Sequence, residues 1–288
     1  MALHKLEGVL KPRKRPVGLL LDTADDLALE GDKWRRGVEF AAYGCDGLSR
    51  GSLAFCASTE YDPDSGAVSD TLAYFGAFGI YADQTCSTLD VDMEYLQGRL
   101  DARWMTYVSE QVAAELEVGG NAPAVVPDGE GGFDPTPTLQ NSAQVIPADG
   151  YVAVGEALAA IEFYLASSLH GGAGLVHIAP FLLGAAHEFI ERDPATGNWM
   201  THTGHTVVSD AGYSSATPAG ETPSASPRWI SGSGPVAFQL GAPRPPGANV
   251  EGFNSSHNEF TARTVAEALV IFDPCSVYAA EFELVAGS

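Results

Sequence analysis

Five of the seven histidines fall inside 36 residues: His170, His177, His187, His202 and His205. Imidazoles grouped in this way could hold zinc, but a zinc site needs three converging ligands, usually with a carboxylate among them. Here His202 and His205 straddle a turn at Gly204, His187 sits in a helical pattern, and no His-Glu-x-x-His run occurs. Structural or surface histidines are therefore expected, and no metal. Ser209, Ser214 and Ser215 lie near Asp210 and His205, the residue types of a hydrolytic triad. No Gly-x-Ser-x-Gly elbow leads into a helix, so chance proximity explains them. Glu110, Glu115 and Glu117 could pair for acid–base work, yet Glu110 and Glu117 lie on a helix whose apolar stripe is elsewhere, and a solvated or interface face is expected. A phosphate-cradling loop is missing, and the last lysine is Lys33. Cys45, Cys56, Cys86 and Cys275 have neither zinc-knuckle nor disulfide-framework spacing and read as buried thiols. No catalytic, cofactor-binding or metal residue is assigned, and the chain is read as no enzyme.

What remains is a chain that must work by its shape. Its 288 residues, 45% of them hydrophobic, can bury a substantial core, and 32 glycines with 18 prolines point to many turns and long loops. A net charge of −22 argues against a free-standing nucleic-acid binder. The charge is uneven, because eight of the 15 basic residues lie between Lys5 and Arg36. The apolar run at 17–21 is too short for a signal segment or membrane span, so synthesis in a cytoplasm, in soluble form, is expected.

The elements follow from the apolar periods. Residues 1–36 lack periodicity and read as an extended arm whose Lys5, Lys11, Arg13, Lys14 and Arg15 face acidic neighbours or DNA. Residues 37–81 read as a long hairpin, with β-prone runs at 38–43, 52–55 and 73–81, too poor in apolar surface to be stable alone. A helix is predicted over 90–118 from Leu96, Leu100, Trp104, Val108, Val112 and Leu116, closed by Gly119-Gly120. Residues 121–147 connect it to a second helix, about 150–169, with Val154, Leu158, Ile161, Leu165 and Leu169 on one face. A strand at 175–178, a third helix from Pro180 to about Ile190, and a hairpin of 199–201 with 206–209 follow. Residues 214–227 read as an exposed loop, and 228–231, 235–240, 260–272 and 276–285 as strands. The class is α+β.

An arm, a β-ribbon, one long helix and a compact α/β unit, in that order, resemble the major capsid protein of tailed bacteriophages, the Hong Kong 97-type shell fold shared with encapsulins. The stretches that carry the resemblance are Glu156-Ala157-Leu158-Ala159-Ala160-Ile161, Leu175-Val176-His177-Ile178-Ala179-Pro180 and Thr203-Gly204-His205-Thr206-Val207-Val208, followed by Arg228-Trp229-Ile230, Val236-Ala237-Phe238 and Asn258-Glu259-Phe260. The resemblance implies an N-terminal arm (1–36), an E-loop (37–89), a P domain with its spine helix (90–148), an A domain (149–227), P-domain return strands (228–275) and a last A-domain strand (276–288). It implies self-assembly into hexamers and pentamers of an icosahedral head enclosing double-stranded DNA. It also implies separate scaffold, portal and decoration proteins or scaffold-free assembly, and a virion location. The alternatives are an encapsulin-like nanocompartment, a minor virion protein or an undetected hydrolase. The type member's Lys–Asn isopeptide crosslink needs an E-loop lysine; Asn254 and Asn258 could accept one, but no lysine follows Lys33.

Overall fold

The structure is a computed structural model that describes residues 20–42, 71–87, 93–122, 126–127, 133–134, 136–146, 153–169, 171–221, 228–243 and 259–282. In chain order the elements are α1 (Leu20–Thr23), β1 (Asp25–Asp26), β2 (Val38–Ala42), β3 (Thr71–Phe75), β4 (Phe78–Ser87), α2 (Met93–Glu117), β5 (Val126–Pro127), β6 (Phe133–Asp134), α3 (Leu139–Ser142) and β7 (Gln144–Val145). They continue as α4 (Val154–Ser168), β8 (Leu175–His177), α5 (Leu183–Ala186), β9 (Ile190–Arg192), β10 (Trp199–Thr201), β11 (Thr206–Val208), β12 (Trp229–Ser233), β13 (Val236–Leu240), β14 (Glu259–Phe272) and β15 (Tyr278–Glu281).

The longest helix, α2, exists because an apolar residue recurs every fourth position, and Leu100, Trp104, Val108, Val112 and Leu116 are all buried. Its 25 residues span about 37 Å. It stops where Gly119 and Gly120 adopt φ of +72° and +114°, a conformation that favours glycine. The helix lies on a four-stranded sheet of order β1-β13-β14-β4. Strict alternation makes that packing one-sided: Ile80, Ala82, Thr264 and Ala266 are buried, whereas Tyr81 and Val265, paired across the ladder, are exposed.

A second, seven-stranded sheet has the order β7-β15-β12-β8-β11-β10-β9. Its central strands are buried, and α4 covers β12 and β15 with Leu158, Ile161 and Leu165. Gly232 makes this approach close, since a Cβ there would come within 3.0 Å of Leu165 Cδ1. Leu158, Ile161 and Leu165 contribute about 1.5–3 kcal/mol each by burial.

Several expectations change. The run expected at 73–81 is split: β3 returns along β2 as a hairpin, while β4 leaves it to pair with β14 over ten positions. The tip of the hairpin, 43–70, lies outside the described residues. The third helix is only one turn, α5, followed by a 3-10 turn at His187–Phe189, and Ile190 already opens a strand whose buried side chain faces the sheet. Strand β12, expected among the strands that follow it, inserts instead between β15 and β8, where Gly232 lets it pack closely against Ile161 and Leu165 of α4. Residues 20–36, expected in the arm, pack on the body: Leu20 and Trp34 are buried and β1 pairs with β13. Cys275 is disulfide-bonded, so it is no free thiol.

Candidate functional site

Charge is scarce in the interior, and the carboxylates placed there locate the joint between the two sheets. Glu115 and Glu117 are buried at the C-terminal end of α2, where the helix dipole disfavours negative charge and no basic residue stands in the last turn. Loop donors offset that cost. Glu115 accepts from the backbone N–H and side-chain amide of Asn121 and from the Ala122 N–H at 2.7 Å. Glu117 accepts from Ser214 N–H at 2.6 Å, Ser214 O–H at 2.7 Å and Ala216 N–H at 3.1 Å. The solvated or interface face expected for these glutamates is replaced, at Glu115 and Glu117, by burial within the chain, because their loops fold back over the helix end. Glu110 is half-buried earlier on the same helix.

Asp210 is buried just beyond β11 and accepts from Ser109 O–H on α2 at 2.5 Å, from Leu20 N–H at 3.2 Å and from Gly212 N–H. Gly212 lies against the α2 backbone so closely that a Cβ would overlap Glu110 O and stand 2.6 Å from Ala114 N. The first half of the loop expected to be exposed is thus bound down, with Ser215 and Pro218 buried. Ser215 O–H bonds Trp229 O at 2.8 Å, and the side chain accepts from Trp229 N–H.

The histidines are divided among separate tasks. His177 is buried between Tyr213 Oη and Ser233 Oγ, each at 2.8 Å. Ser233 spends its only hydrogen on Gly234 O, so it accepts from Nε2–H, and Nδ1 accepts from Tyr213 O–H. That geometry suits the neutral ring, and burial pushes the His177 pKa down to about 3. Burial, with the Asp210 and Glu117 charges nearby, raises Tyr213 well above its ordinary range. His205 Nδ1 accepts from Gly174 N–H at 2.9 Å, and burial lowers its pKa against the opposing pull of Glu162. His187 is exposed and bonds Gly184 O, His202 is exposed, and His170 lies outside the described residues. Among the described residues no group of three His, Cys, Asp or Glu could hold a metal ion.

The serine paired to a histidine is Ser233, 56 positions from His177, rather than any of Ser209, Ser214 or Ser215. No spacing rule signals such a pair. It is also inert as a nucleophile, since Ser233 is fully buried and accepts from the ring instead of donating to it. The basic residues Lys5, Lys11, Arg13, Lys14 and Arg15 lie outside the described residues.

The outer surface carries the unsatisfied apolar area. Phe163 on α4 is 67% exposed and begins a row of rings through Tyr164 to Tyr278, with centroids 5.5 Å and 5.3 Å apart. Beside it a groove of about 400 Å³ is lined by Ala159, Phe163, Ala166, Gly172, Ala173 and His205. Phe181 is 63% exposed beyond β8, and Tyr81 with Val265 forms a separate patch on the four-stranded sheet. Exposed rings and aliphatic pairs on several faces suit contact with other chains. Among the described residues no helix is long and apolar enough to cross a membrane.

No protein-family model matches the sequence, and no curated protein resembles it in sequence. Solved structures do resemble it. A structure from Microbacterium phage Oxtober96 aligns with a TM-score of 0.56 at 10% identity, covering 98% of this chain and 96% of that one. The capsid of an empty GTA particle aligns at 0.52 and 13% identity over 99% and 94% of the two chains. A structure of phage G gp27 major capsid proteins with gp26 decoration proteins aligns at 0.50 and 10% identity over 98% and 99%. The described residues have an α+β fold that resembles these capsid-shell subunits.

Proposed function

We propose that this chain is a major capsid protein that self-assembles into the icosahedral head shell around double-stranded phage DNA. The observation that carries this reading is the likeness of fold to capsid subunits across almost the whole of both chains. The buried, fully bonded Ser233–His177 pair supports a structural rather than an enzymatic protein. In this reading α2 with the four-stranded sheet is the P domain and its spine. The seven-stranded sheet with α4 is the A domain, β2 and β3 are the root of the E-loop, and the basic residues before Leu20 belong to the arm. The exposed rings of α4 and the patch at Tyr81 and Val265 are then contacts between copies in hexamers and pentamers. Scaffold, portal and decoration proteins are the partners of such a shell, the virion is its location, and synthesis takes place in the host cytoplasm.

Expression of the full chain, followed by electron microscopy and a nuclease-protection assay on particles recovered from its native source, tests this. Closed shells enclosing nuclease-resistant DNA are expected. Shells around a protein cargo without DNA would make it a nanocompartment, and a monodisperse monomer under every assembly condition would refute the shell reading altogether.

A further inference from the structure

We propose that residues 210–216 form a strap that sets the angle between the two sheets, and that this angle sets the curvature of the assembled shell; the second half rests on the capsid reading above. The strap is fastened to α2 at three levels. Asp210 holds Ser109, Gly212 lies against the backbone at Glu110 and Ala114, and Glu117 holds Ser214 and Ala216. From Ser109 to Glu117 the fastenings span about 12 Å of helix. Asp210 also takes the Leu20 N–H, so the root of the N-terminal segment is pinned at the same place.

Between its fastenings the strap turns toward the other sheet. Tyr213 O–H donates to His177 Nδ1 on β8, and His177 Nε2–H donates to Ser233 at the end of β12. The next residue, Gly234, begins the crossing from β12 to β13, and its N–H donates to Ser276 Oγ at 3.2 Å. Ser276 belongs to a second crossing, from β14 to β15, and its hydroxyl bonds back to Asp273 O. One continuous set of directional bonds therefore joins the α2 face, the strap and two of the places where the chain passes between the sheets. Two layers that meet only through apolar side chains can slide, whereas buried polar bonds hold one relative orientation because each lost partner leaves a desolvated group. A closed shell repeats one subunit geometry many times, so a small change of angle per copy changes the radius at which the surface closes.

The test uses Gly212→Ala and Glu117→Gln in the full chain. The first forces the strap off the α2 backbone. The second places an amide N–H₂ where only acceptors fit, which removes one of the Glu117 fastenings. Circular dichroism and size-exclusion profiles of the unassembled chain establish that each variant folds. Electron microscopy then compares particle diameters with the single diameter expected of the wild type. Shifted or mixed diameters are expected for both variants, more for Gly212→Ala. If Gly212→Ala does not fold, Glu117→Gln decides the matter. Wild-type diameters from every folded variant would overturn the strap while leaving the capsid reading intact. A wild-type chain that forms no shells would overturn that reading, and the curvature role with it.

Discussion

His177 should make this protein lose stability in mild acid by an amount that one substitution removes. The ring is neutral in the fold, with a pKa of about 3, and returns to about 6.5 when the chain unfolds. Between those values the unfolded state binds one more proton than the folded state, so this contribution is fully present above pH 6.5 and is lost as pH falls toward 3. The slope approaches 1.4 kcal/mol per pH unit, and integration from pH 7 to pH 5 gives about 2 kcal/mol. Because the ring is fully buried, no allowance for solvent screening is needed. His177→Gln keeps an amide between Tyr213 and Ser233 but does not titrate. The variant starts less stable at pH 7, and the gap from wild type should narrow by about 2 kcal/mol on going to pH 5, since the carboxylates and His205 cancel in the difference. In urea titrations followed by tryptophan fluorescence, with a slope of about 2–3 kcal/mol per molar, this is a relative midpoint change of about 0.7–1 M. Parallel pH dependences for the two chains would refute the assignment of a neutral, proton-excluding His177.

Proline at Val108, in the middle of α2, removes a backbone donor and should cost about 3 kcal/mol or more, so shells should be absent; normal particles from that variant would contradict the role given to the helix. Deleting residues 61–68 should leave a soluble chain that assembles poorly, read by sedimentation, because the hairpin rooted on β2 and β3 has little surface to bury on its own. Glutamine at Lys5, Lys11, Arg13, Lys14 and Arg15 together should lower the yield of assembly or flatten its salt dependence, and an unchanged salt titration would make that segment passive. Mature particles boiled in detergent and reductant should run as a single 30.2 kDa band, because no lysine follows Lys33 to form an isopeptide bond and arginine is not nucleophilic at neutral pH. A reductant-resistant ladder would require another crosslink.

The sequence is most legible where a single period governs burial. The fourfold recurrence from Leu100 to Leu116 locates α2 to within a few residues, and Gly119-Gly120 marks its end, because local geometry alone decides both. Strand β14 and the hairpin of β10 with β11 are legible for the same reason. The third helix is not: the pattern after Pro180 permits a helix, but Ile190 gains more by filling the edge of the sheet. Sheet membership is equally hidden, since nothing in Trp229-Ile230-Ser231 tells which of two sheets the strand joins until Gly232 meets Ile161 and Leu165. The joint is least legible of all. A glutamate at the polar side of a helix reads as solvated, and only a strap nearly a hundred positions away supplies the donors that bury Glu117.

Strand β14 has a mechanical meaning. It pairs with β4 from Glu259 to Ala268 and with β13 from Ala268 to Phe272, so the two ladders overlap at a single residue and share one continuous backbone. A pull along this strand is resisted in shear: the ten pairs with β4 bear the load together, and none can open before its neighbours have begun to yield. The same pairs pulled from the side would open in succession, like a zip. In the proposed shell, each subunit would resist tension along β14 better than peeling across it. Pressure from packed contents would accordingly be withstood in proportion to how closely that strand follows the curve of the wall.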